Sequence, residues 1–246
     1  MPDATTLFIA AVFLFAGIVK GVIGLGLPTI AMGLLAVVMS PVEAAAILIV
    51  PAFMTNVWQM LAGPSLGSVA RRLWPMLLAV CLGTWCGAPL MRTIAGPVAA
   101  AVLGGTLILY ALSGLAAYRV SIPAAHAKIL GAMTGFVTGL ITAATGVFVI
   151  PAVPYLQAIE FENEELVQAL GLSFTVSTVA LAVNISGAGA FNAAMAGTAV
   201  TVLALTCIGM WTGQKIRRCL SPAAFRRWFF GGLLLLGIYL LVRAFV

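Results

Sequence analysis

Apolar residues run along this chain in long blocks, at about 7 to 39, 43 to 62, 73 to 91, 95 to 117, 128 to 158, 165 to 187, 190 to 212 and 226 to 245, and the polar residues collect in the gaps. A helix that crosses a bilayer needs about 20 apolar residues. Most blocks fit one crossing. The first and the fifth are too long for one, and each holds a glycine-rich interruption, so each predicts either one long helix or two shorter ones.

The two interruptions repeat one another. The first reads Gly17-Ile-Val-Lys20-Gly21-Val-Ile-Gly24-Leu-Gly26-Leu-Pro28-Thr29, and the second reads Gly135-Phe-Val-Thr138-Gly139-Leu-Ile-Thr142-Ala-Ala-Thr145-Gly146-Val. Gly17, Val19, Gly21 and Ile23 fall on Gly135, Val137, Gly139 and Ile141. After a four-residue shift, Glu43, Pro51 and Thr55 fall on Glu165, Ser173 and Ser177. Broken apolar segments at matching places in two halves are the sequence pointer to the binding site of a secondary transporter.

Charge then chooses between the two readings of the long blocks, because Lys and Arg gather in short cytoplasmic loops. If each long block crosses once, the group Lys215, Arg217, Arg218, Arg226 and Arg227 faces away from Arg71 and Arg72. If each block goes in and comes back, those seven share one side with Arg119 and Lys128, and only Arg92 and Arg243 lie opposite. The second arrangement is expected: two helical hairpins broken near the glycines, both termini on the periplasmic side of a bacterial inner membrane, and an odd net number of crossings per half. The fold class is an all-α polytopic membrane protein of about ten helices. It forms one membrane domain of two inverted repeats, residues 1–120 and 121–246.

Composition narrows the function further. Hydrophobic residues make up 63% of the 246 and charged residues 7%, with a mean hydropathy of +1.19, whereas a soluble domain carries about 25% charged residues. The formal net charge of +6 therefore bears on membrane orientation and on anions, and no nucleic-acid partner is expected. The lipid bilayer is the first partner.

Lys20 is the one charged side chain well inside an apolar block, and such a residue is a functional candidate because burying it costs at least about 2.5 kcal/mol on insertion scales. Gly17, Gly21 and Gly24 follow helical spacing beside it and allow a backbone or an anion to approach closely. Gly26 and Pro28 interrupt the helix and free backbone N–H groups, with Thr29 just beyond. The competing reading of Lys20 is a side chain that snorkels to the headgroups.

In the second copy, Thr138, Thr142 and Thr145 stand at i, i+4 and i+7, so three hydroxyls share a helical face, with Gly146 closing the run. Thr138 occupies the place of Lys20. Threonines in membrane helices also bond back to their own carbonyls, so this face reads either as site lining or as local structure. In the helices that follow, Asn56 and Gln59 of one half and Ser173 and Ser177 of the other are lining or helix-to-helix contacts. Phe53, Trp58 and Phe174 are candidates for an apolar wall beside an organic substituent. The expected site is a midplane anion site between the two broken hairpins.

Other chemistries lack parts. The six acidic residues, Asp3, Glu43, Glu160, Glu162, Glu164 and Glu165, all fall near block ends, and His126 is the sole histidine. No carboxylate pair, Ser/His arrangement or metal-ligand spacing is on offer. The four cysteines, Cys81, Cys86, Cys207 and Cys219, fit no metal motif. An enzyme is not expected, and neither a cofactor nor a metal is called for.

Lys20-Gly21-Val-Ile-Gly24-Leu-Gly26-Leu-Pro28, the run from Gly135 to Pro151, and Gly171-Leu-Ser173-Phe-Thr175 together resemble the TauE/SafE family of membrane transporters for sulfur-containing anions, over nearly the whole chain. In place of the glycine triplet of many members stand Gly24-Leu-Gly26 and Ala143-Ala-Thr145-Gly146. The resemblance implies transport of sulfite or organosulfonate anions by alternating access, with thiosulfate or a carboxylate as alternative anions, a passive anion channel as the rival mechanism, and protons as a candidate coupling ion.

Overall fold

The computed structural model describes residues 4–94, 96–116, 121–186, 194–217, 219 and 221–245. Among them the chain forms helices α1 (Ala4–Ile23), α2 (Leu27–Leu35), α3 (Pro41–Leu61), α4 (Leu66–Cys86), α5 (Ala88–Thr93), α6 (Pro97–Ala116), α7 (Ala124–Thr145), α8 (Ala152–Ala158), α9 (Asn163–Ser186), α10 (Ala194–Ile216) and α11 (Pro222–Arg243), and no strand. That is eleven described helices against the ten or so expected. Eight of them, α1, α3, α4, α6, α7, α9, α10 and α11, are long and apolar enough to cross a membrane.

Both glycine-rich interruptions end a helix in the same way. α1 stops where Gly24 takes a φ of 75° and its N–H bonds the Lys20 carbonyl at 2.8 Å. α7 stops where Gly146 takes a φ of 72° and its N–H bonds the Thr142 carbonyl at 2.8 Å. A residue in the left-handed region, where glycine has no Cβ to clash, lets the last turn satisfy a carbonyl and redirect the chain. α1 and α7 have 20 and 22 residues, or about 30 Å of rise each, so each break follows a helix long enough for one crossing. The helices after it are short, with 9 residues in α2 and 7 in α8.

The chain divides into two compact units. Unit 1 comprises residues 1–51, 95–116 and 189–246, and unit 2 comprises residues 52–94 and 117–188. In unit 1, α1 lies against α10 and α6 against α11, with α2 beside α1. The contact between α1 and α10 is a glycine contact from both sides. A Cβ placed on Gly17 would stand 2.5 Å from the Thr206 carbonyl oxygen, on Gly21 2.2 Å from that of Met210, and on Gly213 2.1 Å from that of Ile18. α6 and α11 meet at Gly104 and Gly237, each tight against the other's carbonyl. Small residues at such crossings let helix backbones touch, which drives association in lipid, where no hydrophobic effect is available.

In unit 2, α4 lies between α7 and α9, and the α4–α7 contact repeats that of α1 with α10. Cβ atoms on Gly135, Gly139 and Gly83 would stand 2.2, 2.3 and 2.2 Å from the carbonyl oxygens of Met76, Val80 and Phe136. Gly17, Gly21 and Ile18 correspond to Gly135, Gly139 and Phe136, each 118 places later. Thr206, Met210 and Gly213 correspond to Met76, Val80 and Gly83, each 130 places earlier.

The stretch after α7 runs back along it. Residues 146–151 are irregular, α8 follows, the Tyr155 hydroxyl donates to the Ala127 carbonyl at 2.8 Å, and the Ile122 N–H reaches the Ala158 carbonyl at 2.9 Å. Ala158 thus ends beside the residue that precedes α7. At the same end, Arg72 donates to the Ile159 carbonyl and its guanidinium lies 4.5 Å from the Phe161 ring centroid. Arg72, the seventh residue of α4, and Lys128, the fifth of α7, therefore stand near one end of unit 2. In unit 1, Arg243 donates to the Val37 carbonyl at 2.8 Å, about 25 Å along α11 from Arg226. Arg119 and Arg218 lie outside the described residues.

Candidate functional site

In unit 1 the candidate residues gather at the end of α1 and the break after it. Lys20 is 5% exposed and stands about 24 Å along α1, one turn before the break, so it lies past the middle of the helix. Gly21 beside it is pressed onto the Met210 carbonyl, which makes it a helix contact first. Gly26 has a φ of 100° and caps α2. A Cβ there would meet the Phe229 ring at 3.0 Å and Val19 at 3.1 Å. Its carbonyl accepts from the Ile30 N–H at 2.9 Å and from the buried Thr29 hydroxyl at 2.9 Å. Thr29 therefore closes the first turn of α2.

In unit 2 the three threonines are fully buried and all bond backwards. Thr138, Thr142 and Thr145 donate at 2.7 Å each to the carbonyls of Thr134, Thr138 and Ile141. Their hydroxyl protons are occupied by carbonyls of their own helix, so none is offered to an anion in this arrangement. The Thr145 oxygen accepts from the Val147 N–H at 3.1 Å, so it helps to set the course of the return stretch. Val147, Phe148 and Val149 are fully buried and not helical. Irregular backbone at membrane depth persists only where it is enclosed by protein or lines a cavity.

Ala52, Thr55, Asn56 and Gln59 form the buried face of α3, and Phe53, Met54, Trp58 and Leu61 form its exposed face. The helical period separates these sets. Phe53 is 36% and Trp58 68% exposed, so of the three expected wall residues only Phe174 is buried, with its ring centroid 5.3 Å from that of Phe148. Asn56 donates to the Thr178 hydroxyl at 3.5 Å, and the Gln59 amide donates to the Val167 carbonyl at 3.1 Å. Ser177 donates to the Ser173 carbonyl at 2.9 Å. The Ser173 hydroxyl and the Gln59 amide oxygen are buried without a partner among the described residues.

Gln168 is a buried polar residue that the motifs do not point to. Its amide donates at 2.7 Å to both Met60 and Gly63 carbonyls and accepts from the Ser65 N–H at 2.9 Å, so it ties the end of α3 and the following turn to α9. The only sequence signal for it is a polar side chain in an apolar block.

The family model described as "Sulfite exporter TauE/SafE" matches residues 9–240, a span that runs from α1 into α11 and includes both interruptions. The chain belongs to the TauE/SafE family. Membership in this transporter family, together with eight helices able to cross a bilayer, makes it an integral membrane protein of transport type. No curated protein and no solved structure matches it.

Proposed function

We propose that the protein is a secondary transporter that moves organosulfonate or sulfite-type anions across the bacterial cytoplasmic membrane by alternating access. One observation carries the reading: a buried ammonium, Lys20, one turn before a glycine break in a membrane helix. A cation at such a depth is retained for a partner of opposite charge, and a monoanion suits a single lysine. Gly24, Gly26 and Thr29 shape the backbone beside it. In the other unit, Thr138, Thr142, Thr145 and Gly146 shape the equivalent break, and Ser173, Ser177, Asn56 and Gln59 are its candidate polar groups. Phe174, backed by Phe148, is the apolar surface available to an organic substituent.

The repeat assignment belongs to the same proposal, with residues 1–120 and 121–246 as inverted repeats, each opening with a glycine-broken hairpin, and both termini periplasmic. The matching registers of α1 on α10 and α7 on α4 support it. The return of Ala158 to Ile122, beside Arg72, supports the hairpin. Protons are the proposed coupling ion.

The test is uptake into proteoliposomes of sulfite, thiosulfate, an alkanesulfonate and a carboxylate of equal size, for the wild type, Lys20→Ala and Lys20→Arg. Saturable flux with counterflow, selective for the sulfur anions, reduced at least tenfold in Lys20→Ala and partly kept in Lys20→Arg, is expected. Flux that does not saturate would identify a channel. Undiminished flux in Lys20→Ala would remove Lys20 from the site.

A further inference from the structure

We propose that the corner between α10 and α11 is a docking surface for the headgroup of an anionic phospholipid such as phosphatidylglycerol. Only five residues join the helices, and Lys215, Arg217, Arg226 and Arg227, all exposed, flank that turn, with Arg218 adding a fifth positive charge in sequence. The turn is tightly wound: the Arg217 N–H bonds the Gly213 carbonyl at 2.8 Å, the Cys219 N–H that of Ile216 at 2.9 Å, and the Phe225 N–H that of Ser221 at 3.0 Å. A five-residue link thus separates the two helix ends that carry these charges.

Unit 1 has little with which to balance them. Its only acidic residues in sequence are Asp3 and Glu43, and the chain carries none after Glu165. The Glu43 carboxylate already accepts from the Ser40 N–H and hydroxyl at 2.9 and 2.7 Å. It also follows closely on Val37, which is bound by Arg243 at the opposite end of α11. Like charges on neighbouring helix ends repel, so an anion at this corner relieves them.

Two tryptophans fix what kind of anion. Trp211 is 60% and Trp228 82% exposed, and tryptophan prefers the headgroup level of a bilayer. The Lys215 ammonium lies 3.4 Å from the Trp211 ring centroid, so charge and ring occupy the same level. Next to them on the same helices, Ile208 and Leu235 expose apolar surface. An occupant must therefore present a negative headgroup to the arginines and acyl chains to this apolar face, which a phospholipid does and a soluble phosphate does not. Clusters of Lys and Arg at the end of a membrane helix attract anionic lipid.

The measurement uses the tryptophans as reporters. In a Trp58→Phe, Trp74→Phe, Trp85→Phe background, the remaining Trp211 and Trp228 are quenched by brominated phosphatidylglycerol or brominated phosphatidylcholine in reconstituted vesicles, and the ratio of the two apparent association constants is compared. A preference for phosphatidylglycerol is expected, reduced roughly tenfold in Arg226→Gln/Arg227→Gln and restored in Arg226→Lys/Arg227→Lys, whose folding is checked by helix content. Equal quenching by both lipids, or a preference that survives the glutamine variant, overturns the proposal. Displacement of the brominated phosphatidylglycerol by millimolar inorganic phosphate would make this an anion site without lipid and overturn it equally.

Discussion

Gly139 and Gly105 sit in membrane helices of similar composition and differ only in what lies opposite. A methyl group on Gly139 would stand 2.3 Å from the Val80 carbonyl oxygen, while nothing lies within 4 Å of one on Gly105. Gly139→Ala is expected to destabilise the protein by about 1–3 kcal/mol, the range for an overpacked contact. Gly105→Ala should be neutral, or stabilising by up to about 1 kcal/mol from helix propensity. Thermal unfolding of the two variants in detergent decides it, and equal effects would contradict the helix contact. The repeat made these glycines visible in the sequence. What they touch was not visible, because the partner atoms are backbone carbonyls, which every residue carries and no side-chain type marks. The threonines show the same limit: spacing gave their shared face, but the direction of a hydroxyl proton depends on the carbonyl four residues back.

Between residues and units, the informative elements are the short ones. Both interruptions were legible as chain breaks from Gly24, Gly26 and Gly146. Their depth was not, since an apolar block has no internal mark of where the bilayer ends; what the structure adds is that α1 and α7, which precede them, are each long enough for one crossing. The return stretch from Gly146 to Ala158 is irregular as far as Pro151 and then only a short helix, and side chains fasten it, among them Tyr155 and Arg72. Gln168 fastens α3 to α9 similarly. Gln168→Leu keeps the size but strands the Met60 and Gly63 carbonyls and the Ser65 N–H, and unpaired buried groups cost about 1–3 kcal/mol each. A fall in melting temperature of several degrees, with little change in substrate selectivity, is the expected outcome. An unchanged melting temperature would show that water replaces these bonds at no cost.

For the molecule as a whole, topology is what the placement of the charges predicts, and unit 2 allows a direct check. With Cys81, Cys86, Cys207 and Cys219 replaced, single cysteines at Arg71, Ser121 and Glu160 are expected to react with an impermeant maleimide from one side of the membrane, and one at Thr93 from the other. Labelling of Ser121→Cys and Glu160→Cys from opposite sides would abolish the hairpin. The sequence halves and the compact units divide the chain differently: repetition is read along the chain, whereas compactness follows contacts such as α1 with α10 that join its two ends.

That last pairing sets an order of events during synthesis. Every segment of unit 2 has been made by residue 188, and both partners of its glycine contacts between α4 and α7 are in the chain by then. α1 precedes the other described helices, yet its partner α10 is nearly the last of them. Through most of translation, Gly17 and Gly21 face lipid or the insertion machinery, with Lys20 beside them. The helix that carries Lys20 therefore waits longest for its partner, and a chain cut short after α9 keeps every segment of unit 2 while leaving α1 without the surface it meets in the folded protein.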